Sequence, residues 1–396
     1  MTCPSNLHPC TTAARHGVNS DPAHGAVMPP IYLSSNYSFD GLDGKRRYDY
    51  TRSGNPTRDV LAETLDEVVG GCGAVVTDTG MAAVDLALCS LEPGDLLIAP
   101  HDLYGGTHRL LCARAKRGHF DVQFVDQNDR AALDATFALK PKLILIETPS
   151  NPLMRIVDVA DLCARAHAVG CKAVVDNTFL SPALQQPLAL GADLVIHSTT
   201  KYINGHSDVV GGCVVAKDPA DLERLTWWAN CLGVTGSPFD AWLTLRGVRT
   251  LFARIERQQA TAGRIAEWLA AHPAVKAVHY PGLKSHPGHA VAARQQRGFG
   301  AMLSFELADI DAVRTLVDGL AVFTLAESLG GVESLIAHPT LMTHAAMTPE
   351  ARATAGISDG LLRLSIGLEH PEDLLADLTA ALALIPHAAP LAAEAA

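Results

Sequence analysis

Between residues 74 and 216 short apolar runs recur in which hydrophobic positions are continuous rather than alternating. They are AVVT from Ala74, LLIAP from Leu96, VQFV from Val122, LILIE from Leu143, AVVDN from Ala173, LVIHS from Leu194 and GGCVVA from Gly211. A strand covered on both faces needs apolar side chains at every position, so these runs predict a sheet sandwiched between helices. Helical stretches at 130–138 and 159–169 separate several of them, and strands interleaved with helices predict an α/β fold with a mostly parallel, seven-stranded sheet. A helix is expected to start at Pro56, with Asn55 as its cap, Leu61, Leu65, Val68 and Val69 as its apolar face, and Gly70 and Gly71 as its stop.

The flanks read differently. Residues 1–55 are rich in Pro, Ser, Asn and Tyr, show no sustained period, and predict an extended N-terminal arm lying against another surface. A long helical segment is expected at 239–271, interrupted at Gly247. Beyond it GAMLSFEL from Gly300, a helical pattern at 310–320 and LLRLSIGLE from Leu361 predict a smaller α+β domain. The expected division is therefore an arm at 1–55, an α/β domain at 56–258 and an α+β domain at 259–396, whose Ala- and Pro-rich tail from Pro386 is expected to fray.

Charge and cysteine usage narrow the function classes. Lys plus Arg total 31 against 42 for Asp plus Glu, a formal charge of −11, which argues against a nucleic-acid or polybasic membrane surface. No apolar run approaches the roughly 18 residues of a membrane span, and the first 20 residues lack the apolar core of a signal peptide. The nine cysteines are scattered without a C-x-x-C pair, so neither a disulfide framework nor a metal site is expected. His286 and His289 read as a surface loop, Trp227 and Trp228 as helix packing, and Cys72, Cys89, Cys112, Cys163, Cys171 and Cys213 as inert core thiols. A cytoplasmic enzyme without nucleic-acid or membrane partners is the expectation.

Ligands in such sheets collect at the carboxyl ends of strands. The first strand runs into Thr79-Gly80-Met81, a glycine turn opening a helix, where backbone N–H groups can face an anion. The fifth ends in Asp176, a carboxylate that is costly in so apolar a run unless it meets a cation, caps a helix or reaches solvent. The sixth leads into Ser198-Thr199-Thr200-Lys201, a lysine whose desolvation makes it a usable amine nucleophile. An anion cradle, an acid and an amine are what pyridoxal 5'-phosphate requires: a phosphate site, a pyridinium partner and a Schiff-base lysine. A dinucleotide site is not encoded, because Gly71-Cys72-Gly73 lacks a third glycine and precedes its strand. A non-catalytic relative would be expected to have lost Lys201 or Asp176.

HSTTKYINGHSDVVGG from His197 resembles the lysine signature of the pyridoxal-phosphate-dependent enzymes of cysteine and methionine metabolism. YDYTRSGNPTRDVLAETL from Tyr48, TDTGMAAVDLAL from Thr77, APHDLYGGTHRLL from Ala99, IETPSNPLMRIVDV from Ile146, VVDNTFLSPALQQPLALGADLVIHS from Val174 and GVTGSPFDAWLTLRGVRTL from Gly233 continue the likeness. RQQRGFGAMLSFEL from Arg294 and FTLAESLGGVESLIAHPTLMTHA from Phe323 extend it to the end of the chain. The resemblance implies the aspartate-aminotransferase-like fold of type I. It implies Lys201 as cofactor lysine and proton shuttle, Asp176 at the pyridinium nitrogen, Tyr104 stacked on the ring and Asn151 near the ring hydroxyl. Gly80, Met81, Ser198 and Thr200 are expected at the phosphate and Arg363 at the substrate α-carboxylate, with Asp49, Arg109, Glu327 and Ser328 in the substrate pocket. Tyr50 and Arg52, two apart in what reads as an extended segment, are expected to reach the phosphate of a neighbouring subunit, in a homotetramer built from site-sharing dimers. The implied reaction is γ-replacement, O-succinyl-L-homoserine plus L-cysteine giving L-cystathionine and succinate, with side elimination to 2-oxobutyrate and ammonia. Scission of L-cystathionine by a γ-lyase, or use of sulfide in place of cysteine, are the alternatives. One position departs from the succinyl-ester pattern: Ser53 stands where a second arginine is expected, so that Lys45, Arg46, Arg47 or Arg109 would have to hold a distal carboxylate instead.

Overall fold

The computed structural model describes residues 7–345 and 347–385; the tail from Pro386 lies outside the described residues. All seven apolar runs form strands: β1 Gly73–Thr77, β2 Leu96–Pro100, β3 Asp121–Val125, β4 Leu143–Glu147, β5 Lys172–Asp176, β6 Leu194–His197 and β7 Gly212–Ala216. They make one sheet in the order β1-β7-β6-β5-β4-β2-β3. The block from β6 to β3 is parallel, and β7 runs antiparallel to both of its neighbours.

The continuous apolar runs are explained by which way successive side chains point. Leu143 and Leu145 of β4, Val174 of β5, and Leu194 and Ile196 of β6 join one core with the helices Gly80–Ala87 and Pro219–Leu232. The intervening Ile144, Ile146, Val175 and Val195 join a second core with the helices Pro56–Val69, Arg130–Phe137, Val159–Ala168 and Pro238–Val248. Each fully buried Leu, Ile or Val in these layers contributes about 1.5–3 kcal/mol, so a polar substitution on either face is costly. The helix Pro56–Val69 has the expected punctuation: Asn55 accepts the N–H groups of Thr57 and Arg58, and Gly70 closes it at φ 84°.

A second sheet packs beyond the helix Leu251–Ala270. Its strands are β8 Ala277–His279, β9 Met302–Glu306, β10 Thr324–Leu325, β11 Leu335–Ala337 and β12 Leu361–Ser365, in the order β10-β11-β12-β9-β8. Here the side chains alternate in character. Leu362 and Leu364 of β12 enter the core beneath Ile310–Gly319 and Pro371–Ala383, so Arg363 projects from the opposite face. Ser304, opposite Arg363 in the register, donates to the Pro152 carbonyl at 2.7 Å and ties that face to the larger sheet.

Several local expectations need correction. The first 55 residues contain a helix, Pro9–Arg15, too short to show a period and capped by the His8 ring. Tyr50 to Ser53 is a turn rather than extended chain, closed by Ser53 N–H to the Tyr50 carbonyl at 3.1 Å. Tyr50 and Arg52 still share a side, the guanidinium lying 5.8 Å from the ring centre. The expected helical segment is interrupted, but two residues past Gly247: one helix ends at Val248 and the next starts at Leu251; at Gly247 itself a Cβ would meet the Asn204 carbonyl oxygen at 2.1 Å, so close approach is what demands glycine. Trp227 is largely exposed. Cys163, Cys171 and Cys213 are buried thiols pushed up to about 12 by burial, whereas Cys72 and Cys112 lie at the surface. His286 accepts the Gly288 N–H, and His289 bonds the Pro281 carbonyl. No helix among the described residues is long and apolar enough to cross a membrane.

Candidate active site

At the carboxyl ends of β1, β4, β5 and β6 the chain encloses a cavity of about 520 Å³. Gly80, Met81, Tyr104, Asn151, Asp176, Ser198, Thr200 and Lys201 line it from the larger sheet; Glu327, Ser328 and Arg363 line it from the smaller one.

One end is built for an anion. Gly80 and Met81 are the first two residues of the helix Gly80–Ala87, so their N–H groups precede its internal hydrogen bonding and point out of its positive end. The cap residue Thr79 satisfies the third, accepting the Ala82 N–H at 2.9 Å. A Cβ at position 80 would lie 2.7 Å from Ser198 Cβ and 2.8 Å from its hydroxyl, so glycine leaves a cradle between helix and Ser198. The Thr200 hydroxyl also borders the space, though it donates to the Gly211 carbonyl at 3.1 Å and accepts the Gly211 N–H at 2.9 Å.

Lys201 sits in the turn after β6 and donates to Ser328 Oγ at 2.8 Å. Burial, then the Arg363 charge, holds its amine down at about 8, with Glu327 opposing. At pH 7 that leaves about 300-fold more neutral amine than a solvated lysine carries. The rate at which the cofactor-free chain adds pyridoxal phosphate is therefore expected to climb roughly tenfold per pH unit up to about pH 8 and then flatten; stopped-flow absorbance reads it. A rate still climbing at pH 10 contradicts a desolvated Lys201.

Asp176 ends β5 and accepts the Thr178 N–H at 3.0 Å. Burial pushes its carboxyl up, the penalty that a cation placed against it relieves. In register beside it on β4 stands Glu147, pushed well up by burial and by the Asp176 charge. Glu147 is not among the residues expected at the site from the sequence. Its signal was the one used for Asp176, an acid closing a continuous apolar strand. Tyr104, 42% exposed, precedes the helix Gly105–Lys116 and presents its ring to the cavity.

Arg363 is 3% exposed. One terminal nitrogen donates to Asn151 Oδ1 and the other to the Ser328 carbonyl, both at 2.9 Å. Its Nε is buried without a hydrogen-bond partner, and burial holds the group down at about 10. A buried guanidinium on the cavity wall with no carboxylate of its own suits an incoming carboxylate. Cradle, Asp176, Lys201 and Tyr104 together fit pyridoxal phosphate: phosphate at the glycine turn, ring nitrogen at Asp176 and aldehyde carbon at Lys201.

Four expected residues do not border the cavity within one chain. Arg52 is tied to the carbonyl and side chain of Asn230, the carbonyl at 2.7 Å, and Tyr50 beside it is about half exposed. Asp49 bonds Lys45 at 2.8 Å and Ser53 at 3.0 Å, and Arg109 is exposed on the helix Gly105–Lys116. Arg46 pairs with Asp40, and Arg47 with Asp59 and Glu63, so these cations already have partners.

Residues 10–383 match the family model of the Cys/Met metabolism PLP-dependent enzymes. Cystathionine gamma-synthase of Escherichia coli (strain K12) is 59% identical over 370 residues, 93% of this chain and 96% of the relative. A crystal structure of cystathionine gamma-synthase from Xanthomonas oryzae pv. oryzae in complex with aminoacrylate and cysteine superposes with a TM-score of 0.95 at 63% identity, covering 96% of this chain and 98% of that one. Cystathionine gamma-lyase from Lactobacillus plantarum, complexed with L-serine, gives a TM-score of 0.92 at 40% identity over 96% of this chain and 99% of its own.

Proposed function

We propose, from the premise that this chain belongs to the Cys/Met metabolism PLP-dependent enzyme family, that it joins O-succinyl-L-homoserine to L-cysteine, giving L-cystathionine and succinate. The observation that carries the reading is a desolvated Lys201 and a buried Arg363 with an unpartnered Nε facing one cavity with Asp176. Higher identity to gamma-synthases than to the gamma-lyase supports the choice within the family.

Pyridoxal phosphate, when bound, supplies an electron sink that stabilises negative charge on the substrate carbons next to the amino group. The chain supplies the rest. Gly80 and Met81 N–H groups and the Ser198 hydroxyl hold the phosphate, and Asp176 keeps the ring nitrogen protonated. Arg363 fixes the substrate α-carboxylate, which orients its Cα–H toward Lys201. Lys201, its amine held down at about 8 by burial, takes that proton when neutral and returns it, with Ser328 Oγ holding the amine between transfers. Overall the Cγ–O bond breaks, succinate leaves with the bonding pair, and the cysteine sulfur bonds Cγ as its thiol proton is lost. Tyr104 covers the site and limits water, which would otherwise divert the same substrate to 2-oxobutyrate and ammonia.

The reading extends to assembly. Tyr50 and Arg52 lie outside the cavity of their own chain and carry exposed aromatic and cationic surface, which fits their reaching the phosphate of a partner subunit. That makes a site-sharing dimer the minimum unit, and the family resemblance raises it to a homotetramer of two such dimers. Cytoplasmic location accords with the free thiols of the described cysteines.

A paired assay tests the reaction. One arm supplies O-succinyl-L-homoserine with L-cysteine and follows cystathionine; the other supplies L-cystathionine alone and follows 2-oxobutyrate. The first is expected to run at least about tenfold faster, a difference of about 1.4 kcal/mol in how the shared path divides. A faster second arm makes the enzyme a γ-lyase and turns attention to Ser53.

A further inference from the structure

Glu147 is a carboxylate placed where carboxylates are costly. It is 9% exposed, closes a strand whose other four residues are apolar and buried, and stands in register beside Asp176. Strands adjacent in a sheet lie about 4.8 Å apart, and both side chains leave the same face, the one shared with Leu145 and Val174. Two acids so close repel, and nothing in the roles derived above uses the second.

What Glu147 does is visible in its acceptors. Oε2 takes the backbone N–H of Tyr104 at 3.0 Å, and Oε1 takes the backbone N–H of Asn151 at 3.2 Å. These donors belong to different loops, one following β2 and the other following β4. Tyr104 carries the ring over the cavity. Asn151 holds Arg363 through Oδ1 at 2.9 Å, and its carbonyl in turn meets His344 Nε2 at 3.1 Å. One carboxylate thus touches the backbone beneath the ring-facing aromatic and the backbone beneath the arginine's anchor.

We propose that Glu147 is a positioning residue: its two carboxylate oxygens strap the Tyr104 and Asn151 loops to the end of β4, fixing together the aromatic that covers the cofactor and, through Asn151, the guanidinium that takes the substrate carboxylate. The proposal rests on the roles given above to Tyr104 and Arg363. It explains why an acid is retained beside Asp176. Glutamine has one acceptor oxygen and sets an N–H₂ against the second backbone donor, so it can hold only one loop. Aspartate keeps the charge but is one methylene short of spanning both.

The test uses the full-length chain as wild type, Glu147→Gln and Glu147→Asp, with fold checked by circular dichroism and thermal melting. Two quantities are read: the Kd of the cofactor-free chain for pyridoxal phosphate, and KM against kcat for the amino-acid substrate. Both variants are expected to raise Kd and KM about tenfold or more while kcat falls less. In the Glu147→Gln background, Arg363→Lys should add less to KM than it does alone, because the arginine is already displaced. Lowered thermal stability with unchanged Kd and KM would make Glu147 purely structural and overturn the strap. Wild-type behaviour of Glu147→Asp would also overturn it, by showing that charge and not two-point reach matters. If Glu147→Gln does not fold, Glu147→Asp decides alone. The Kd arm needs no turnover, so an error in the assigned reaction appears as an inactive wild type and leaves the strap judged by Kd.

Discussion

Lys201→Ala loses at least about 10³-fold in turnover and the visible absorption that accompanies a lysine-bound cofactor. The expectation follows from the amine's surroundings. Its nitrogen is directed at Ser328 Oγ on the cavity wall, and burial, then the Arg363 charge, holds it down at about 8, well below a solvated lysine. Among the described residues no other lysine lines the cavity. Because Lys201 has no carboxylate bonded to it, its loss orphans no buried charge, and the melting temperature should shift by only a few degrees. Steady-state rates with substrates in excess, together with a melting curve, check both halves. A variant that retains a tenth of the wild-type rate removes the lysine from the mechanism.

Asp176→Asn has the second large effect. Asparagine keeps the shape and can still accept the Thr178 N–H, but it cannot hold a proton on the ring nitrogen. Removing one partner of a buried ion pair costs about 3–5 kcal/mol, and that energy bears on the charge developing in the reaction. Turnover should fall by roughly two to four orders of magnitude, while the Kd for pyridoxal phosphate, still anchored at Lys201 and the glycine turn, rises much less. Equal losses in both would mean that Asp176 serves to bind the cofactor and does not tune it.

Much of this architecture was legible in the chain for definite physical reasons. The seven central strands announce themselves because a sheet covered on both faces leaves no polar positions, and Leu143 to Ile146 feed the two cores in turn. The helix after Asn55 is legible because its cap, its proline and its terminal glycine each satisfy a backbone requirement. Arg363 stands out as the one charge in an apolar strand. What the chain concealed depends on contacts distant in sequence. The break near Gly247 was legible, falling at 249–250, but only the Asn204 carbonyl against Gly247 reveals why glycine is there. The Tyr50 turn and the Pro9–Arg15 helix are too short to impose a period. Glu147 escaped notice because its meaning lies in two N–H groups, 43 residues before it and 4 after it. Ser328 reaches Lys201 across 127 residues, from a backbone at φ 85° that no residue pattern specifies.

The proposed mechanism requires this one cavity to bind pyridoxal phosphate through Lys201. The most direct measurement is borohydride reduction of the holoenzyme followed by protease digestion and mass spectrometry. A pyridoxyl phosphate mass addition is expected on the peptide containing Lys201, present in the wild type and absent from Lys201→Ala. A label on another lysine, or none on a protein that turns over substrate, would contradict it.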